Sequence, residues 1–211
     1  MIPRPPISPH ALLAGALAMC VGMSAAAFTT TISSSTTKAL YLRIGDGTMT
    51  GGNYNSGGTP GNNSTINLVS VTVPATALGN ATAQAMTGTG STTSSWDGYA
   101  FCNAGQVYIG GFYRYTSSGG TAVLSAQSSS PLTDGAGNSI PFTQISWTSS
   151  GNGDTGTEAI PGGTFNGGTQ TLANFPVNNW QESCHSFSYA NSSVVAAGTF
   201  NGRVTYTLVS P

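Results

Sequence analysis

Ala197-Gly198-Thr199-Phe200-Asn201-Gly202-Arg203-Val204-Thr205-Tyr206-Thr207-Leu208 is the stretch that decides the fold class. After a Gly-bearing turn, Val204, Tyr206 and Leu208 alternate with Arg203, Thr205 and Thr207. A period of two carried by β-branched and aromatic side chains is the pattern of a half-buried strand, not of a helix. The same period recurs upstream. Leu40, Leu42 and Ile44 alternate with Ala39, Tyr41 and Arg43, and Val107, Ile109 and Gly111 alternate with Tyr108, Gly110 and Phe112. Residues 66–73, which begin Ile66-Asn67-Leu68, read as a further strand. Turn clusters such as Gly45-Asp46-Gly47 and Asp134-Gly135-Ala136-Gly137-Asn138 separate these runs. The Ala-rich stretch from Pro74 to Met86 is broken by Gly79 and supports a short helix or a loop at most. About eight strands with turns between them predict an all-β protein, a single immunoglobulin-like β-sandwich. Two long polar intervals, 46–65 and 148–164, are expected to be loops over one end.

Composition narrows the function. The 211 residues include five Lys+Arg and six Asp+Glu, a net charge of -1, and charged residues make up 5% where roughly 25% is ordinary. Phosphate neutralisation needs clustered Lys and Arg, so no nucleic acid is expected as a partner. Hydrophobic residues at 38% are enough to bury a core, which argues against disorder.

The first residues read as an address. A polar start containing Arg4 and His10 precedes an apolar run from Ala11 to Met23, shorter than the about 20 residues a membrane helix needs. Ser24-Ala25-Ala26-Ala27 supplies small residues for signal peptidase, with cleavage expected after Ala27 and Ala25 as the alternative. Leu17-Ala18-Met19-Cys20 is a poor lipidation site because Met is bulky before the Cys. The division is therefore a signal peptide over 1–27, an N-terminal extension over 28–37 and a β-sandwich domain over 38–211. Loss of Cys20 leaves Cys102 and Cys184, and an even count in an exported chain predicts one disulfide between them.

Catalytic chemistry needs convergent ionisable groups, and the chain offers few. His185 is the one imidazole after removal of residues 1–27; it follows Cys184, and strand neighbours point to opposite faces, so it reads as a surface or edge histidine. Asp154 and Glu158, four apart in a Gly/Thr-rich interval, read as solvated loop acids, not as a glycosidase pair. Trp96, Trp147 and Trp180 read as core positions ahead of a glycan platform. No enzyme activity, no cofactor and no metal site is expected.

The segment Phe28-Thr29-Thr30-Thr31-Ile32-Ser33-Ser34-Ser35-Thr36-Thr37 is extended, uncharged and hydroxyl-rich, with apolar side chains only at Phe28 and Ile32. Such a segment is a weak independent element and a good strand to add to another sheet. Together with the stretch from Ala197 to Leu208, with Pro131-Leu132-Thr133-Asp134 through Ile140-Pro141-Phe142 to Ile145-Ser146-Trp147, and with Leu40-Tyr41-Leu42-Arg43-Ile44-Gly45-Asp46-Gly47, it resembles subunits of chaperone–usher fimbriae. The likeness is to alpha-clade, class 5, CFA-type major pilins, and more distantly to spore coat U-type archaic pilins. The chain departs from the alpha-clade pattern in offering Cys102 and Cys184 and in ending on Ser210-Pro211.

The resemblance implies a sandwich missing its last strand and a fimbrial subunit assembled by donor-strand exchange, serving adhesion or biofilm formation. It implies Phe28, Thr30, Ile32 and Ser34 as the donor strand and Val204, Tyr206 and Leu208 as the wall of the acceptor groove. Neighbouring copies, a periplasmic chaperone and an outer-membrane usher would be the partners, with a host or surface glycan receptor beyond them. The route would run through the periplasm to the cell surface. A chain on its own is expected to leave residues 28–37 projecting or loosely packed. The rival reading is a secreted or surface β-sandwich that binds glycans.

Overall fold

The computed structural model describes residues 28–47 and 49–211, so the signal-peptide expectation for 1–27 lies outside the described residues. The architecture is all-β. The strands that frame it are β1 (Thr29–Thr31), β2 (Ala39–Ile44), β3 (Gln84–Ala85), β4 (Val107–Arg114), β5 (Thr121–Gln127), β6 (Ile145–Ser150), β7 (Gly163–Thr164), β8 (Thr169–Pro176), β9 (Asn179–Tyr189) and β10 (Thr205–Val209). Helix in Pro74–Met86 is limited to a 3-10 turn over Ala75–Ala77, because Gly79 turns away at φ +67, and the stretch ends in β3.

β9 is the organising element. In the larger sheet the order is β7-β6-β9-β4-β2, and every pairing is antiparallel. At 11 residues β9 is longer than either neighbour, so each edge of it is shared. One edge is paired by β6 over 184–189 and by β1 over 179–181; the other edge takes β4 over 179–183 and β3 over 188–189. A smaller antiparallel sheet, β8-β5-β10, lies against the inner face of the larger one.

Alternation assigns the side chains. Leu42, Ile44, Val107, Ile109, Tyr113, Trp147 and Phe187 meet Ala122, Leu124, Ala126, Leu172 and Phe175 across the two sheets. Between Thr171 and Ala173 the β8–β5 register slips by one, a bulge that lets consecutive Leu172 and Ala173 both be buried.

The outer face of the larger sheet is also covered, which departs from a two-layer sandwich with polar loops at its end. Tyr41, Phe112 and Trp180 pack there beneath Ile32, Met49, Tyr54 and Trp96. The polar interval after Asp46 thus folds over the sheet instead of standing off one end. Its backbone is tied to the segment 95–96, with Tyr54 N–H donating to Ser95 O at 3.0 Å and Asn55 N–H to Trp96 O at 2.9 Å. Residues 66–73 do not form the expected strand; only Val69–Ser70 pairs, with Thr87–Gly88.

Candidate assembly groove

β10 pairs along one side with β5, and among the described residues its other side has no strand partner. Beside that free edge, between it and Ile44 of β2, lies an apolar cavity of about 520 Å3. Val204, just before β10, and Tyr206 on it form one wall, Val107, Phe142, Ile145, Phe165 and Phe187 belong to its lining, and Ile66 and Leu68 stand on its rim. Ile66 is 66% and Leu68 59% exposed, a high value for two alternating aliphatics, and it arises because they face this opening. Gly202 shapes one end: a Cβ there would lie 3.0 Å from Leu132 and Phe142. Burial pushes the Tyr206 hydroxyl well above its ordinary range. Leu208 packs against the same core without lining the cavity. At that end β2 closes in, and Lys38 Nζ donates to Pro211 O at 2.5 Å.

The N-terminal segment is elsewhere. It neither projects nor packs loosely: Thr29–Thr31 pair with Asn179–Gln181, and Ile32 N–H donates to Asn178 O at 2.9 Å. Phe28 and Thr30 are half-buried, Ile32 is 6% exposed and Ser34 is exposed. Alternation along the segment therefore holds as far as Ile32, but the surface it meets is the outer face of its own sheet, where β9 is left unpaired beyond the end of β6. The cavity opens on the inner side of the larger sheet, whereas the strand is paired within that sheet and its apolar side chains face the outer side.

Cys102 and Cys184 form the expected disulfide, with Cα atoms 5.5 Å apart. It sits on the outer face with Phe101 and Tyr108. His185 points the other way, as alternation requires, but it is not a surface or edge residue. It is fully buried, stacked on Trp147 at 5.7 Å, and its Nε2 lies 3.2 Å from Ile160 O. Burial lowers its pKa to about 4, so the ring is neutral at physiological pH.

Sequence reading passed over a buried polar cluster on the outer face. Glu182 Oε2 accepts from Tyr108 Oη, from Ser94 Oγ at 2.8 Å and from Trp180 Nε1 at 2.9 Å. Burial raises the Glu182 carboxyl despite these donors. Arg43, 6% exposed, donates to Gly45 O, Thr93 O and Ser95 Oγ and stacks over the Tyr108 ring. Both residues look like ordinary strand charges in the sequence; only their position on a sheet covered on both faces marks them.

Asp154 and Glu158 are half-buried rather than solvated. Burial pushes both carboxyls up, and the charge of Asp154 raises Glu158 further. Trp147 and Trp180 are buried, and Trp96 is half-buried within the aromatic cluster around Trp180. No family model, no curated protein and no solved structure matches the chain.

Proposed function

We propose that this chain is a structural, non-enzymatic fimbrial subunit, an immunoglobulin-like sandwich lacking its last strand, exported behind a signal peptide over 1–27 and polymerised at the cell surface. The observation that carries the reading is the apolar cavity at the start of β10, whose outer edge is unpaired, walled by Val204 and Tyr206. An open strand edge with an apolar slot beside it is a site for β-augmentation: the added strand supplies main-chain hydrogen bonds and its alternate side chains fill the slot. In transit through the periplasm a chaperone strand would occupy it. In the polymer the occupant would be residues 28–36 of the next copy, presenting Phe28, Thr30 and Ile32, delivered at an outer-membrane usher. That exchange requires the segment to leave its seat on β9, and its three backbone pairings there make release a distinct step.

A glycan-binding module would present a platform of exposed aromatics. Burial of Trp147 and Trp180 favours the assembly reading over it.

The test is surface polymerisation with two variants. Deletion of 28–36 removes the donor; Val204→Asp leaves the donor intact and places an unpaired charge in the slot. Both are expected to abolish SDS-resistant ladders, while Val204→Asp still folds with the Cys102–Cys184 disulfide formed. Normal ladders from either variant, or a parent chain that stays monomeric on the cell surface, would overturn the reading.

A further inference from the structure

Phe28 sits in a prepared seat. Its backbone N–H donates to Asp154 Oδ2 at 3.1 Å, and its ring packs on Phe101 with centroids 5.8 Å apart. The seat belongs to the segment 151–154, which is tied to the disulfide region by Asn152 N–H to Phe101 O at 2.8 Å and by Asn152 Nδ2 to Ala100 O at 3.0 Å. Gly151 makes the close packing feasible: a Cβ there would lie 2.4 Å from the Phe101 ring and 2.7 Å from Asp154 Oδ2. Asp154 and Glu158 thus place two carboxyls together, half-buried. Among the described residues no Lys, Arg or His helps to hold either charge; Asp154 has the Phe28 N–H and Glu158 a hydroxyl from Ser183. Two adjacent carboxylates in partial shelter call for a cation.

We propose that cleavage after Ala27 supplies it: the freed α-ammonium of Phe28 forms an ion pair with Asp154, and processing of the precursor thereby fastens the first strand to the fold. Hydrolysis of the Ala27–Phe28 bond consumes one water, leaves a carboxylate on Ala27 and leaves an amine on Phe28 that takes up a proton. The nitrogen that donates to Asp154 as an amide then does so as a cation, without moving. The inference rests on export with signal removal, and not on polymerisation, so it stands or falls separately from the fimbrial reading.

The experiment compares four folded, disulfide-bonded chains by thermal unfolding at pH 7. Two begin at Phe28 and two at Ala26, the start that cleavage after Ala25 would leave; each start is made with Asp154 and with Asp154→Asn. The Ala26 start keeps the Phe28 N–H but carries its charge two residues away. The extension is expected to lower Tm by about 1–4 °C with Asp154, the shift for a pair this exposed in a chain this long, and by less than about 0.5 °C with Asn. Equal shifts in both backgrounds, or no shift in either, overturn the proposal. Mass analysis of the chain recovered from an exporting cell is expected to show Phe28 as the first residue, and any other start overturns it as well.

Discussion

Tyr108 lies across Gly110, so closely that a Cβ at position 110 would come within 2.2 Å of the Tyr108 hydroxyl oxygen. The register sets Arg43, Gly110 and Glu182 in one row across β2, β4 and β9. The glycine is therefore the gap in that row. Through it the tyrosine reaches Glu182, while the Arg43 guanidinium rests 4.4 Å from the centre of its ring. A carboxylate and a guanidinium, each almost wholly buried, are thus linked by a ring and not by direct contact.

Gly110→Ala is expected to destabilise the fold by about 1–3 kcal/mol, the usual cost of forcing an extra methyl into a packed interior. Equilibrium urea unfolding measures it, and a midpoint equal to that of the parent would show that the tyrosine can move aside at no cost.

His185 makes stability pH-dependent. Its folded pKa of about 4 lies below its ordinary value of 6.5, so the unfolded chain binds the proton more readily between those values and stability falls as the pH drops through that window. Glu182, Asp154 and Glu158 act in the opposite sense, because their folded pKa values are raised and acid favours their folded forms. His185→Phe isolates the first effect. Between pH 7 and pH 4.5 the unfolding free energy of the parent should fall relative to the variant by on the order of 2–3 kcal/mol. A constant difference would place the imidazole in water.

Much of this was legible in the residues, and the limit is physical. Period-two runs locate β2, β4 and β10, and the parity of the cysteines gives the disulfide. Alternation also sends Cys184 and His185 to opposite faces. What alternation cannot say is whether each face is covered. The covering layer over Tyr41, Phe112 and Trp180 is made of Ser, Thr, Asn and Gly around Tyr54 and Trp96, and it carries no periodic signal because it is held by turns and cross-loop hydrogen bonds. His185 is consequently misjudged as a surface group, and nothing in the sequence marks Arg43 and Glu182 as buried. The cavity is half visible: Val204 and Tyr206 declare themselves by their spacing, whereas Phe142, Phe165 and Leu132 reach it from short segments distant in the sequence.

Reduction of the Cys102–Cys184 bond should cost about 4.5 kcal/mol, the chain-entropy value for a sequence separation of 82. The comparison is urea unfolding with and without reductant; unchanged midpoints would mean that the unfolded chain gains no freedom when the bond opens.

Ile32→Asp should loosen the N-terminal strand of the isolated chain, because Ile32 is buried against Tyr41, Phe112 and Trp180, and a carboxylate there lacks a partner. Ser34→Asp, at an exposed site, should be silent. Amide exchange at residues 30–32 distinguishes them: protection falls at least tenfold in the first and is kept in the second. Equal protection in both would put the segment outside the fold.

The disulfide also sets how far the molecule can be drawn out. It joins the middle of β9 to residue 102, so the span of 82 residue steps between the cysteines cannot add to the end-to-end reach while the bond is intact. At roughly 3.4 Å per extended residue, that withholds about 280 Å of contour. Under tension the chain yields only its outer portions, the segment before Cys102 and the tail after Cys184. A molecule so built is short-tethered, and a reducing agent would lengthen it by that same reserve.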